Sequence, residues 1–281
     1  MRQVELPEFT ALTNERAEHS GLGALARRVQ TADVAFSENY LATTPFHSTF
    51  WALRRLKGSI RAHAPLAHGR MLDVGCGLKP YESVFNPYVD EHVGYDYSPT
   101  SGFRGNRANV CGDAAALPFR DGSFDTVLCT EVLVDLPDPD RTIAEFARVL
   151  KPGGTLITTA AFVFPVHDRN DYFRFSPDGL AVIMRRHGLA IDEIVGTTGT
   201  AVTIANLVNL YIYDHTFIWN KWLYPLGLLL RPLLWLFCFA VNLTGRALEV
   251  VLPDESLPIH VLTVANKPTN SISFDRPKEN R

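Results

Sequence analysis

Met71-Leu-Asp-Val-Gly-Cys-Gly77 is the stretch that the rest of the chain must accommodate. An apolar run ends in an acid, and two glycines then flank one residue. That order describes a buried strand that stops at Asp73 and turns sharply through Gly75 and Gly77. Glycine has no Cβ, so the backbone can take positive φ there and a ligand can lie against it. In an open parallel sheet such a turn sits at the carboxyl edge, where these folds bind ligands.

From Arg70 onward, short strands alternate with helices. Strands are expected at Arg70–Val74, Glu91–Tyr95, Ala108–Cys111, Phe124–Thr130, Thr155–Ala160, Ala190–Val195 and Ile259–Val264. A short helix is expected at Pro80–Phe85. An amphipathic one follows at Pro139–Leu150, capped by Asp138 and stopped by Pro152-Gly153-Gly154. A third spans Ser176–His187, with Ser176 as N-cap and Pro177 at its first position. Upstream, Phe50, Trp51, Leu53, Leu56 and Ile60 make a helical stripe within 46–64. The alternation implies a parallel sheet with helices on both faces and right-handed crossovers. The expected organisation is a helical lead-in or lid over 1–66, a core over 67–196 and 258–267, an apolar helical insertion over 197–257, and a polar tail over 268–281.

Composition removes several classes. A net charge of −3 with no basic block gives no electrostatic footprint for nucleic acid. Cys76, Cys111, Cys129 and Cys238 are scattered, with no C-x-x-C, which argues against zinc and against a disulfide frame. No metal is expected, and the setting is a reducing cytosol. The opening MRQVELPEFT is polar and acidic, unlike a secretory signal.

Three acids stand at the ends of successive expected strands: Asp73, Asp96 and Asp113. Asp96 lies 19 residues beyond Gly77, the distance at which dinucleotide folds place the acid that holds ribose hydroxyls. A carboxylate suits two vicinal hydroxyls because both of its oxygens accept. A pyrophosphate loop is disfavoured, because Pro80 stands where the third glycine of G-x-G-x-x-G would fall. No Lys-Ser/Thr pair marks a phosphate loop either. The site therefore wants a ribose and an adenine without phosphates, and a nucleotide-dependent dehydrogenase is the disfavoured rival.

Leu72-Asp-Val-Gly-Cys-Gly77, Gly94-Tyr-Asp-Tyr97, Gly112-Asp-Ala-Ala-Ala-Leu-Pro-Phe119, Ser123-Phe-Asp-Thr-Val127 and Leu150-Lys-Pro-Gly-Gly154 together resemble the class I S-adenosylmethionine-dependent methyltransferases. The resemblance implies a doubly wound, Rossmann-like α/β fold with a seven-stranded sheet whose last strand is antiparallel. It implies S-adenosylmethionine as cofactor. Gly75 and Gly77 would lie against its methionine part and ribose, and Asp73 would help hold its amino group. Asp96, with Tyr97 beside it, would take the ribose hydroxyls. Asp113 and the Ala114 backbone would meet the adenine, and Thr130 and Glu131 would line the methionine end. Two departures stand out. Leu78-Lys-Pro-Tyr81 replaces the usual small residue and long helix, as in a type 11-like subgroup. Asp135 stands where a histidine is often found.

Phe164-Pro-Val-His-Asp-Arg-Asn-Asp-Tyr-Phe-Arg-Phe-Ser176 follows the fifth strand and resembles a stretch of that same subgroup, which is associated with glycan or envelope biosynthesis. His167 is the best base by intrinsic pKa, with Asp168 or Asp171 orienting it or serving instead. Tyr172 and Arg174, together with Trp51 of the lead-in, are the candidate substrate contacts. The plainer reading of the loop is a salt bridge between Asp171 and Arg174.

Residues 217–243 are very apolar, with Arg231-Pro232 splitting the run. An arginine at bilayer centre and a helix-breaking proline disfavour one span. So does topology, because the chain must return to the sheet it left. A re-entrant or interfacial hairpin satisfies both constraints, with Trp219, Trp222, Tyr224 and Trp235 at the interface. A lid or dimer face is the alternative. The expected function is methylation, at oxygen, of a glycan, lipid-linked saccharide or other amphiphilic acceptor, by a protein peripheral to the inner face of the cytoplasmic membrane. The alternatives are methylation of a small soluble metabolite, or cofactor binding without turnover.

Overall fold

The computed structural model describes residues 44–97, 107–166, 170–217 and 224–269. The elements are α1 (Phe50–His63), β1 (Arg70–Val74), α2 (Glu82–Phe85), β2 (Glu91–Asp96), β3 (Val110–Cys111), β4 (Phe124–Thr130), α3 (Pro139–Val149), β5 (Leu150–Ala161), α4 (Pro177–Arg186), β6 (Ala190–Gly196), α5 (Thr200–Phe217), α6 (Tyr224–Val251) and β7 (His260–Asn266). The lead-in before residue 44 and the tail from 270 lie outside the described residues.

The seven strands form one sheet in the order β3-β2-β1-β4-β5-β7-β6. β1 pairs in parallel with β2 and β4, and β4 with β5. β7 is antiparallel to both of its neighbours. From β1 the chain winds to β2 and β3 on one side and then crosses to β4 and β5 on the other, so the crevice at the end of β1 is a topological switch point.

Two apolar layers enclose the sheet. On one face Phe146, Ile143 and Val149 of α3 and Leu180 and Met184 of α4 pack with Leu72, Val127 and Leu156. On the other, Leu56 and Ile60 of α1 pack with Met71, Leu128, Ile157 and Leu262. α1 is therefore a wall of the core. The caps form as their residue types predict. Asp138 accepts from the Arg141 amide at 3.0 Å, and Ser176 from the Gly179 amide at 3.2 Å.

Two local expectations are corrected. Leu150 already has extended backbone and pairs with Phe124, so β5 begins there and not at Thr155. Pro152-Gly153-Gly154 lies inside the strand, next to a register shift in the β4–β5 pairing, instead of stopping a helix. Nor does Arg231-Pro232 break the apolar insertion, because α6 runs through it as one 28-residue helix. An interior proline costs about 3 kcal/mol. Leu234, Cys238 and Asn242 are buried at successive turns beyond Pro232, and Asn242 bonds Asn209 of α5. The hairpin is α5 against α6, antiparallel: Asn209 bonds Asn242 at 3.1 Å, and the Gly199 amide bonds Glu249 at 2.8 Å.

β7 gives this hairpin its place. Its first residue, His260, pairs with Ala161, the last of β5, and Val261 pairs with Gly196, the last of β6. The hairpin thus leaves and rejoins the sheet at the carboxyl edge.

Candidate functional site

The glycine turn closes onto β2. The amides of Gly75 and Cys76 donate to the Tyr95 carbonyl at 2.8 and 3.1 Å. Gly75 and Gly77 take φ of +71° and +48°. The two differ in what surrounds them. A Cβ on Gly75 would stand 2.1 Å from Val132 Cγ2, whereas one on Gly77 would meet nothing within 4 Å. Gly75 is required by packing, and Gly77 leaves an open cradle.

Asp96 ends β2, and its carboxylate accepts from the Gly77 amide at 2.8 Å and the Tyr97 amide at 2.7 Å. The strand therefore aims the acid at the turn, and each oxygen keeps a lone pair for a further donor. Tyr97 is exposed beside it. Asp113 follows β3 and accepts from the Ala115 amide at 2.9 Å, while Ala114 is buried. The Tyr95 hydroxyl donates to the Asp113 carbonyl at 3.0 Å, which ties this acid to β2. Gly77, Asp96 and Asp113 lie in turn along one sheet edge, an open cradle followed by two carboxylate acceptors. That donor set fits an adenosyl group with no phosphate.

Asp73 is placed differently. Its side chain is 5% exposed, and one oxygen is 2.9 Å from His92 Nε2. It underpins the turn from within the sheet. Lys79, also buried, sends its Nζ to the His92 carbonyl at 3.2 Å and to Asn109 Oδ1 at 2.9 Å. A Cβ on Gly94 would fall 2.5 Å from Lys79 Cε. The lysine of Lys79-Pro80-Tyr81 is thus a strut beneath the loop. Tyr81 is pushed up to about 12, first by burial and then by the Glu131 and Asp73 carboxylates. It is a neutral phenol in the field of both acids.

Thr130 ends β4 and Glu131 follows with φ of +57°, a left-handed conformation that glutamate rarely adopts. Its amide is held by Thr159, with the carbonyl at 3.1 Å and Oγ1 at 3.2 Å. Such strain persists where surrounding structure enforces it, and it clusters at functional sites. Across from it, His260 Nε2 lies 3.7 Å from Glu131 Oε2. Burial pushes the His260 imidazole down to about 4, so it is uncharged at neutral pH. The Phe164 ring stacks on it at 6.0 Å.

His92 and His260 have no counterpart among the residues that the sequence marks, and Lys79 and Tyr81 stand there only within Leu78-Lys-Pro-Tyr81, with no role given. One signal could have found His260. An antiparallel last strand begins at the edge where the parallel strands end.

His167 and Asp168 lie outside the described residues. Asp171 and Arg174 come together. The Asp171 side chain is fully buried, and both of its oxygens contact the Arg174 guanidinium. Arg174 also donates to the carbonyls of Phe164 at 2.9 Å and Pro165 at 3.0 Å. The pairing raises the arginine's pKa. The pair buckles the loop, as the plainer reading of these two residues expects. Tyr172 is exposed on that loop. Trp51 is half-buried on α1, and its Nε1 donates to the Asn242 carbonyl of α6 at 3.1 Å.

Residues 72–158 match the family described as methyltransferase domain. A ubiquinone biosynthesis O-methyltransferase of Thiobacillus denitrificans is 30% identical over 175 residues, which are 51% of this chain and 74% of that protein. Another, of Saccharophagus degradans, is 35% identical over 101 residues, 29% of this chain and 42% of its own length. A demethylmenaquinone methyltransferase of Renibacterium salmoninarum is 38% identical over 104 residues, 34% of this chain and 42% of its own. The chain spans less than half the length of the last two. Among solved structures, the cyclase SpnF shares the fold with a TM-score of 0.50 at 22% identity, covering 77% of this chain and 82% of that one.

Proposed function

This chain belongs to the class I S-adenosylmethionine-dependent methyltransferases, and from that premise we propose that it methylates a hydroxyl oxygen of an amphiphilic acceptor at a membrane surface. S-adenosylmethionine, when bound, supplies an electrophilic methyl group on a sulfonium. The protein's own contribution is placement, and for a hydroxyl acceptor a group that takes its proton. The Gly77 cradle and Asp96 would hold the ribose, and Asp113 and Ala114 the adenine. Tyr81, Thr130 and Glu131 would surround the methionine end. His260 and Glu131 face each other at that end of the edge. An uncharged imidazole there can accept a hydrogen bond from the acceptor hydroxyl, with the carboxylate beside it to stabilise the proton.

The acceptor class is carried by one observation. α6 turns an apolar row outward, with Leu233, Leu236, Phe237, Leu243, Leu248 and Val251 all exposed. Leu230–Val251 is long and apolar enough to cross a membrane, with mean hydropathy 1.4 and only 22% of it buried. Because the hairpin begins and ends at one sheet edge, a helix lying in the membrane interface satisfies both facts. The described cysteines are all free thiols, which suits the inner face of a cytoplasmic membrane. Oxygen as the acceptor atom is favoured by the relatives named for O-methylation.

The test uses S-adenosylmethionine labelled in its methyl group, offered with a lipid extract and, separately, with an aqueous metabolite extract. Label entering the organic phase supports the reading. Label confined to the aqueous extract refutes the amphiphile. Cofactor binding with no transfer to either refutes the enzyme. Asp96→Ala should weaken cofactor binding by at least about tenfold in calorimetry.

A further inference from the structure

α1 and α6 enclose a cavity of about 340 Å³, lined by Phe50, Trp51, Arg54, Phe239, Leu243 and Arg246 among others. Its volume falls within the range of small-molecule sites. The floor is aromatic and aliphatic, and two guanidiniums stand at its rim.

The charges around this cavity do not balance. Arg55 and Arg246 both bond the same carboxylate oxygen, Glu249 Oε2, at 2.8 and 2.9 Å. The other oxygen of Glu249 takes the Gly199 amide. Arg54 lies over the Phe50 ring at 5.8 Å and Arg55 over the Trp51 ring at 5.6 Å. Arg55 Nε is buried without a hydrogen-bond partner. Two arginines thus share one carboxylate that is 12% exposed, and Arg54 lines the same cavity with Arg246. Crowded guanidiniums repel one another unless an anion joins them, and their forked donors suit phosphate oxygens. Lys57 and Arg61, both exposed, continue the basic row along α1.

The cavity also opens on the apolar row. Leu243 lines it and is itself 59% exposed in the outward stripe of α6. One surface therefore offers an apolar helix face, a hydrocarbon-lined recess beside it, and unbalanced positive charge at the lip. We infer that this recess seats an anionic phospholipid of the bilayer, its phosphate between Arg54 and Arg246 and an acyl chain over Phe50, Phe239 and Leu243. The site anchors α6 in the interface plane and turns the carboxyl edge of the sheet toward the membrane. This inference rests on the membrane-surface reading above.

The experiment is flotation of the full chain with vesicles of phosphatidylcholine alone and of phosphatidylcholine mixed with phosphatidylglycerol. Wild type should float with the mixed vesicles and much less with the neutral ones. Arg54→Gln/Arg246→Gln should lose partition on the mixed vesicles on the order of 30-fold, at roughly 1 kcal/mol per basic residue near the surface. Arg120→Gln, in the turn before β4, should not. Calorimetry with S-adenosylmethionine on each variant checks that it has folded. Equal flotation on both vesicles, unchanged in the double variant, overturns the phospholipid site and leaves the membrane reading standing. No flotation on either overturns both, and a dimer that stays at the bottom shows that a second copy covers α6 instead. Monomeric dihexanoyl phosphatidylglycerol should bind more tightly than inorganic phosphate, and equal affinity would also overturn the inference.

Discussion

Gly75→Ala and Gly77→Ala put the same methyl group on two neighbouring turns of left-handed backbone, and the structure separates their effects. With φ of +71° and +48°, each alanine carries roughly 1–2 kcal/mol of strain. At Gly75 the new Cβ would also stand 2.1 Å from Val132 Cγ2, and overpacking of that kind adds about 1–3 kcal/mol. Gly75→Ala should therefore lose about 2–5 kcal/mol and Gly77→Ala about 1–2 kcal/mol. At about 2–4 °C per kcal/mol, Gly75→Ala should melt at least about 4 °C below wild type, with roughly twice the drop of Gly77→Ala. Cofactor affinity should show the reverse order among molecules that remain folded. The Gly77 methyl projects into the open cradle, so its binding constant should weaken by at least about tenfold. Differential scanning fluorimetry and calorimetry with S-adenosylmethionine read the two quantities. Val132→Ala, which removes the clashing methyl, should recover part of the Gly75→Ala loss in a double-mutant cycle. Equal melting drops, or a cycle in which the two substitutions simply add, would refute the packing argument.

Burial sets the pH dependence of His260. Its folded pKa of about 4 lies below the ordinary 6.5 because the imidazole is buried. The unfolded chain then binds the proton first, so this contribution to stability is complete above about pH 6.5 and is lost as pH falls toward 4. The loss is on the order of 3 kcal/mol, and urea titrations at both pH values should show it shrinking in His260→Gln. His92→Ala leaves the buried Asp73 carboxylate without its partner and should cost about 1–3 kcal/mol in the same assay, with His92→Gln recovering part of it. Pro232→Ala restores a missing amide inside α6 and should raise the melting temperature by an amount equivalent to about 1–3 kcal/mol; a lower value would show that the proline is needed for the helix's path.

Some of this protein is determined by chemistry that acts over a few residues. The glycines at 75 and 77, the strand-ending acids Asp96 and Asp113, the caps Asp138 and Ser176, and the limits of β1 and β4 are legible in the chain. Each rests on local backbone sterics, side-chain periodicity or capping, which neighbours in sequence suffice to impose. The β5 start and the path of α6 depart from local preference for a complementary reason. Strand pairing with Phe124 and burial of Leu234, Cys238 and Asn242 override the local preferences of Pro-Gly-Gly and of Pro232. The tertiary structure alone decided three further things. It consigned Asp171 and Arg174 to each other. It made Lys79 a strut under the turn, lying where a Cβ on Gly94 would otherwise stand and bonded to the His92 carbonyl. And it carried His260 to Glu131, 129 positions away in the chain, because β7 runs against its neighbours and so begins where they end.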